Sequence, residues 1–193
     1  MDSVYLENKI VQLKPMEIED VEEIFKAACF DEIWTHMPIT VKNREDVIKY
    51  VESALSLKKA GVENPFVIID TLTNKIIGAT KLMDISEQHK RGEIGFTWLT
   101  PNYWRTSINT NCKYLLLTYC FEKLGWQRVQ IKTDHENIRS QKAIERIGAK
   151  KEGVLRNHMI RKDGTIRHTV MFSITSDEWT KEVKVHLENL LEK

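Results

Sequence analysis

Cysteine is scarce in this sequence and long apolar runs are absent, and both facts exclude whole classes of protein. The three cysteines, Cys29, Cys112 and Cys120, form an odd number without the spacing of a disulfide framework. On one helix Cys112 and Cys120 would lie roughly 12 Å apart, which is too far for a disulfide. No run of about eighteen apolar residues offers a membrane span. We therefore expect reduced thiols and no membrane partner.

The sequence also lacks a surplus of basic residues and a signal peptide. Its 29 Lys and Arg residues nearly balance 28 Asp and Glu residues, whereas a dedicated nucleic-acid binder carries a basic excess. The N-terminal stretch MDSVYLENKIVQLKP contains acidic residues and no continuous apolar segment, unlike a secretory signal. We expect a cytoplasmic protein without a nucleic-acid partner. The length of 193 residues fits one domain, residues 1–193.

What is present is a regular succession of strand and helix patterns. Apolar residues at helical or two-residue spacing, with capping residues and turn signals at their ends, define each element. The predicted helices are Ile18–Cys29, Arg44–Ala60 after the cap Asn43, Asn109–Leu124, Ser140–Ile147 and a last helix capped by Ser176. The predicted strands are Lys9–Leu13, Phe66–Asp70, Ile76–Ile85, Glu93–Leu99, Arg128–Thr133, Lys150–Ile160 and Ile166–Ile174. The order β-α-α-β-β-β-α-β-α-β-β-α predicts one mixed α/β (α+β) domain.

One crossover and its turn stand out. Strand–helix–strand over residues 93 to 133 places two strands side by side in parallel. The turn lies in LTPNYWRTSINTNCKYLLL, from Leu99 to Leu117, and leads into an apolar helix. Free backbone N–H groups and the positive end of a helix make such turns phosphate-binding sites. They are normally rich in glycine, and this one contains none.

The second half of the sequence carries a set of motifs at matching spacing. They are Asn137, Ser140, the run Glu145–Gly148 and the run Glu152–Arg156. With them the chain resembles the GCN5-related N-acetyltransferases (GNAT), and within that family the ribosomal-protein alanine and serine N-acetyltransferases. The resemblance implies a mixed, mostly antiparallel sheet with helices on both faces. It also implies that the fourth and fifth predicted strands splay apart and that acetyl-CoA lies in the opening.

The activity implied by the resemblance is acetyl transfer from acetyl-CoA to a primary amine, either a protein N-terminus or a small amine. Diverging strands leave backbone groups unpaired, and pantetheine can pair with them like an added strand. The resemblance implies that Asn137 contacts pantetheine and that the turn meets the pyrophosphate. Lys142 and Arg139 can reach the 3′-phosphate, or they face water as basic residues on a helix surface usually do. The expected cofactor contacts are Thr97, Trp98, Leu99, Arg105, Thr106, Ser107, Ile108, Asn109, Thr110, Asn137, Ser140 and Lys142.

The turn departs from the family pattern at Ser107, which stands where relatives usually have the first glycine. If the turn needs a positive φ there, serine costs about 1 kcal/mol. If the residue is already helical, serine fits and its hydroxyl can reach a phosphate oxygen. Arg105 adds a charge-assisted donor, or it is a solvated turn residue. The competing hypothesis is a non-catalytic acyl-CoA-binding or protein-interaction module whose phosphate turn has degraded.

Two residues are candidates for the chemistry of direct amine attack on the thioester. Glu93 can remove the proton from the ammonium, directly or through water. On a two-residue period Glu93, Gly95, Thr97 and Leu99 share one face, and the small Gly95 leaves room for a substrate. The alternative for Glu93 is an exposed carboxylate at a strand edge. Ser140 can pass a proton to the leaving thiolate, or it can simply cap a helix together with Asn137.

The sequence gives weaker indications of which residues bind the acceptor amine. His168 stands where relatives often carry an acid, and it is either a substrate-site base or a half-buried structural residue. Trp34 and Met37 lie in the loop that walls the acceptor site in the family, or they pack in the core. His158 and His168 lack a third ligand, so we expect no metal. The last helix covers its own sheet or a second copy, which leaves monomer and homodimer open.

Overall fold

A computed structural model describes residues 4–192, which form one eight-stranded sheet with helices around it. In chain order the strands are β1 (Leu6–Glu7), β2 (Val11–Pro15), β3 (Asn64–Asp70), β4 (Lys75–Ser86), β5 (Arg91–Leu99), β6 (Arg128–Asp134), β7 (Lys150–Ile160) and β8 (Ile166–Thr175). The helices are α1 (Val21–Ala28), α2 (Arg44–Lys59), α3 (Ile108–Thr118), α4 (Ile138–Arg146), α5 (Ser176–Glu178) and α6 (Lys184–Leu191). The sheet order is β1-β2-β3-β4-β5-β6-β8-β7. Only β5 and β6 are parallel among these neighbours, so the predicted mixed, mostly antiparallel sheet is confirmed.

Two helix starts show how local sequence sets the element ends. Asn43 caps α2 as predicted, because its side chain accepts the N–H of Asp46 at 3.0 Å. The last helix is capped by Thr175 instead of the predicted Ser176. Thr175 ends β8 with an extended backbone, φ −96° and ψ 161°, and accepts the N–H of Glu178. A cap needs that non-helical conformation, and Ser176 is already the first residue of α5.

The core consists of two layers on opposite faces of the sheet. On one face α3, α4 and α6 contribute residues such as Leu116, Ile144 and Leu187. On the other face α1 and α2 contribute Ile24 and Val51. The predicted helices on both faces are therefore confirmed. No helix within residues 4–192 is long and apolar enough to cross a membrane.

The sheet opens between its parallel strands. The pairing of β5 with β6 covers three residues, from Arg91 opposite Arg128 to Glu93 opposite Gln130. At this short junction Gly92 makes room for Trp126, since a Cβ there would come within 2.3 Å of the ring. Beyond the junction the two strands form the walls of a cavity.

A bulge in β5 breaks the predicted alternation of faces. Phe96 has a φ of 52°, and the register with β4 shifts by one residue there. As a result Leu99 packs in the same core layer as Ile94, and Thr97 meets Lys113 of α3. The prediction that Thr97 and Leu99 share a face with Glu93 was therefore wrong. A regular two-residue period cannot show an inserted residue.

Candidate active site

A cavity of about 620 Å³ lies between β5 and β6 and reaches both faces of the sheet. Its walls come from the two strands, the turn before α3, helix α4 and the segment after α1. The predicted site residues that line it are Met37, Glu93, Thr97, Trp98, Leu99, Arg105, Thr106, Asn109, Asn137, Ser140 and Lys142. The topology thus brings together side chains that are more than a hundred positions apart in the sequence.

Glu93 is a buried carboxylate with defined partners. The residue is 1% exposed, and its Oε2 accepts hydrogen bonds from Lys132 Nζ at 2.9 Å and Gln130 Nε2 at 3.0 Å. Burial raises the pKa of Glu93 above its ordinary value, against the opposing charge of Lys132. A carboxyl group with a raised pKa that lines a cavity is suited to accept a proton near neutral pH.

Gly95 serves Glu93 itself. A Cβ at Gly95 would come within 2.8 Å of both Glu93 Oε1 and Met83 Sδ. The position that a Cβ would take is therefore occupied by the carboxylate and by Met83. Gly95 itself lines the cavity beside Glu93, and the room for a substrate stays a prediction.

The turn before α3 has an ordinary helical start at Ser107. Its φ of −72° and ψ of −11° are right-handed, so serine fits without strain. The left-handed residue of this turn is Arg105, with a φ of 62°. The N–H groups of the first helical turn have no partners within their own helix. With the positive end of α3, they have the character of a phosphate-binding site, and the predicted contact with the pyrophosphate stays a prediction.

Side chains around the turn hold it in place. Trp104 Nε1 donates to the carbonyl of Leu99 at 2.8 Å, and Thr106 Oγ1 donates to the carbonyl of Tyr103 at 2.8 Å. The guanidinium of Arg139 lies 3.9 Å from the centre of the Trp104 ring. Burial and the nearby charge of Arg105 lower the pKa of Arg139. The N–H of Ile108 donates to Thr106 Oγ1 at 3.3 Å. This end of the cavity therefore combines N–H donors at a helix start with cationic side chains, a setting that fits a polyanion.

Comparison with known proteins identifies the family. The sequence profile of the acetyltransferase (GNAT) domain matches residues 11–150. The chain belongs to the GNAT family of acetyltransferases. The uncharacterized N-acetyltransferase p20 of Bacillus licheniformis is 30% identical over 183 residues, covering 93% of this chain and 99% of that protein. A GCN5-related N-acetyltransferase from Brucella melitensis superposes with a TM-score of 0.92 at 28% identity, covering 99% of this chain and 86% of that one.

A third similar protein has a structure with a related ligand. Mycobacterium smegmatis RimJ, solved in complex with CoA-disulfide, shares the GNAT fold at 18% identity and a TM-score of 0.81, covering 97% of this chain and 93% of that one. The family confirms the predicted enzyme class, an N-acetyltransferase, and the predicted fold. The GNAT fold uses acetyl-CoA, and the cavity between β5 and β6 has the donors and charges for it.

Asn137 and Ser140 occupy the start of α4 in this GNAT domain. The side-chain oxygen of Asn137 accepts the N–H of Ser140 at 3.0 Å, so Asn137 is a helix cap. Both residues also line the cavity. The capping hydrogen bond fixes the positions of both residues. It does not prevent either of them from contacting a ligand in the cavity.

Several predicted site residues lie outside the lining of the GNAT cavity. Trp34 is fully buried, donates from Nε1 to the carbonyl of Ala28 at 2.9 Å and packs on Trp98, as in the core alternative. His168 faces away from the cavity, where its Nδ1 accepts the N–H of Asn157 at 2.9 Å. The remaining residues in this group belong to the start of α3: Ser107, Ile108 and Thr110.

Arg167, next to His168, lines the cavity in its place. The sequence contained the signal for this difference. Val170 and Phe172 are core residues of β8, and His168 shares their face on a two-residue period. Arg167 therefore lies on the opposite face, which is the face of Glu93.

Lys113 is a second lining residue that the sequence reasoning missed. It is 5% exposed, and its Nζ donates to Thr97 Oγ1 at 2.7 Å. Burial lowers the pKa of Lys113 to about 8. The sequence contained an indication of this burial. Lys113 lies three and four residues before Leu116 and Leu117, which are both buried, so it shares their face of α3.

Asp134 closes the far end of β6 and was also missed. Its two oxygens accept from Arg161, Nε to Oδ2 at 2.7 Å and the terminal nitrogen to Oδ1 at 2.9 Å. Burial opposes the charged form, but the hydrogen bonds and charge of Arg161 lower the pKa of Asp134 to about 2.

Within residues 4–192 no group of three or more His, Cys, Asp and Glu residues could hold a metal ion.

Proposed function

We propose that this GNAT enzyme transfers the acetyl group of acetyl-CoA to a primary amine by direct attack on the thioester. The observation that carries the proposal is the buried carboxyl of Glu93, with its raised pKa, at the point where β5 and β6 part. Glu93 takes the proton from the attacking ammonium, directly or through water. As the carbon–sulfur bond breaks, Ser140 passes a proton to the thiolate.

The proposed binding mode follows the walls of the cavity. Pantetheine runs along Thr97, Trp98 and Leu99 and meets Asn137, as an added strand would. The pyrophosphate meets the N–H groups of the turn from Arg105 to Thr110. Lys142 faces the 3′-phosphate as a point charge.

The acceptor enters from the opposite face, where Met37 forms part of the wall. We propose a protein N-terminus or a small amine as acceptor and a catalytic domain that spans residues 1–193. Every proposed site residue comes from one chain, so the chemistry requires no second copy, and a homodimer is equally compatible with it.

Calorimetry with acetyl-CoA and a thiol-release assay with a panel of peptides and polyamines test the proposal. We expect micromolar binding and a release of CoA that depends on the amine. Lack of binding at high micromolar acetyl-CoA would contradict the binding mode. Binding without amine-dependent thiol release would favour the non-catalytic module, and release without any amine would indicate simple hydrolysis.

A further inference from the structure

Arg167 is a half-buried cation whose guanidinium has no hydrogen-bonding partner in the described part of the chain. Its side chain is 12% exposed, its Nε is buried, and its guanidinium makes no hydrogen bond within the described residues 4–192. It lies on β8, opposite Met159 of β7, and lines the acceptor side of the cavity. A charged N–H group that is buried without an acceptor, as Nε is here, carries a desolvation cost.

The nearest carboxylate cannot satisfy Arg167. Asp134 Oδ2 is 3.9 Å from Arg167 Nε, beyond hydrogen-bond distance. Both oxygens of Asp134 already accept hydrogen bonds from Arg161, and Oδ1 also accepts the N–H of Glu136 at 3.0 Å. Arg161 is shared between Asp134 and Glu136, whose Oε2 lies 3.0 Å from the guanidinium. Asp134 therefore offers Arg167 only a longer-range ion pair, and the hydrogen-bond donors of Arg167 are left without an acceptor among the described residues.

The other acid on this face is also engaged. Glu93 forms its ion pair with Lys132 at 2.9 Å. The charge of Glu93 nevertheless acts on Arg167, whose pKa is lowered chiefly by burial. The acceptor side therefore presents a base for an amine and, within electrostatic reach of it, a guanidinium whose hydrogen-bond donors have no acceptor within residues 4–192.

We propose that the acceptor amine carries a carboxylate, and that Arg167 binds this carboxylate while Glu93 receives the proton of the amine. The proposal rests on the proposed acetyl transfer and narrows its substrate class. A guanidinium binds carboxylates through two parallel hydrogen bonds. A singly charged carboxylate fits this site better than a phosphate dianion, because a dianion would be repelled more strongly by Glu93 and Asp134.

The carboxylate has two sources, and substrate pairs that differ only in that group distinguish them. β-Alanine against β-alaninamide tests a free amino acid. The peptide Ser-Asp-Ala-Ala amide against Ser-Asn-Ala-Ala amide tests an acidic residue next to a protein N-terminus. For at least one pair we expect about a tenfold higher kcat/KM for the carboxylate member, since each tenfold corresponds to about 1.4 kcal/mol. The pair that shows the preference identifies the source.

Arg167→Gln should reduce that preference to about twofold or less, whereas Arg167→Lys should restore part of it. The two members of a pair differ in the pKa of their amine, which by itself affects kcat/KM. This effect is the same for every enzyme variant, so a change in the kcat/KM ratio between variants reports on Arg167. Arg156→Gln is the matched control, because it removes the same charge from an exposed position on the neighbouring β7. It should keep the wild-type preference.

Binding measurements keep this test independent of turnover. Calorimetry of β-alanine and its amide, and of the two peptides, is run on the CoA-saturated wild type and on Arg167→Gln. Equal binding of both members of every pair by the wild type, or a preference that survives in Arg167→Gln, would overturn the proposal. Loss of acetyl-CoA binding itself, or no turnover of any amine despite carboxylate-selective binding, would count against the proposed acetyl transfer alone.

Discussion

Glu93 is the side chain on which the proposed chemistry depends most directly. Glu93→Gln keeps the shape of the side chain and removes its ability to take a proton. We expect kcat to fall about 10²- to 10³-fold, within the range for loss of a general base. The affinity for acetyl-CoA should stay within about twofold, since the proposed cofactor contacts lie elsewhere. Steady-state kinetics and calorimetry measure the two quantities.

The pH profile gives this prediction a second readout. Because burial raises the pKa of Glu93, wild-type kcat/KM should decline on the acid side at a pH above the ordinary titration range of glutamate. Glu145→Gln, an exposed change on α4, should leave both rate and profile unchanged. Full activity in Glu93→Gln would exclude this residue as the base.

The turn before α3 permits a test of where backbone strain resides. Arg105 has a φ of 62° and Ser107 has a φ of −72°. Of the two residues only Arg105 is left-handed. Arg105→Gly should therefore raise the free energy of unfolding by about 1 kcal/mol. Ser107→Gly should lower it by about 0.5 kcal/mol through added freedom of the unfolded chain. Denaturant unfolding of both variants measures these changes.

Acetyl-CoA affinity separates charge from strain at the same turn. Arg105→Gly removes a cationic donor, so it should bind acetyl-CoA more weakly despite its greater stability. Arg105→Ala removes the same charge and keeps the strained Cβ, which makes it the matched control. Stabilisation by Ser107→Gly instead would mean that the serine is the strained residue.

Lys113 should reduce stability at neutral pH. Its folded pKa of about 8 lies below the ordinary 10.5, so between these values the unfolded chain binds more protons and stability rises with pH. Lys113→Met removes the buried charge, and Thr97 keeps a partner because its Oγ1 lies 2.8 Å from Thr80 Oγ1. We expect the variant to be more stable by about 3 kcal/mol at pH 7, since a shift of one pKa unit corresponds to 1.36 kcal/mol and the pKa of Lys113 is lowered from 10.5 to about 8.

Denaturant unfolding of wild type and Lys113→Met at pH 7 and pH 10 measures this difference. The advantage of the variant should shrink at the higher pH, where the folded wild type has lost the proton from Lys113. A constant difference across that range would mean that Lys113 is not the titrating group.

Among the elements, regular patterns could be predicted and local irregularities could not. The alternation of β8 and the cap at Asn43 follow from side-chain type and spacing. The bulge at Phe96 does not, because it depends on one inserted residue with a positive φ. That residue determines which side chains of β5 face the cavity. The tertiary pairs of Glu93 with Lys132 and of Asp134 with Arg161 likewise depend on how strands meet, which spacing along the chain does not encode.

The short β5–β6 junction should be sensitive to a single methyl group. Gly92→Ala would place a Cβ against the ring of Trp126, and overpacking of this kind costs about 1–3 kcal/mol. The double variant with Trp126→Leu makes room for the methyl group and should lose less stability than the sum of the single changes. Thermal and denaturant unfolding of the three variants measure this coupling. Strict additivity would show that the two residues do not meet.

Across the whole molecule, a net charge of +1 conceals a division of charge within the cavity. The α3–α4 end presents Arg105, Arg139 and Lys142, while the acceptor end contains the acids Glu93 and Asp134 together with Lys132 and Arg167. The composition shows that the protein is not strongly basic. It could not show this arrangement, because the fold brings cations from separate segments together at the α3–α4 end of the cavity. The division suits a cosubstrate that is anionic at one end and reactive at the other.

This arrangement predicts how acetyl-CoA binding responds to charge. Lys142→Gln should weaken acetyl-CoA severalfold, about 1 kcal/mol for one exposed charge-assisted contact. It should leave 3′-dephospho-acetyl-CoA almost unaffected, because that ligand lacks the phosphate that Lys142 is proposed to face. Added salt should weaken acetyl-CoA more in the wild type than in the variant. Lys151→Gln, an equal charge loss on an exposed site of β7, is the control in the same calorimetric titrations. If Lys142→Gln weakened the binding of both ligands equally, the lysine would contribute only to the overall positive potential at the α3–α4 end. The 3′-phosphate would then have to lie elsewhere.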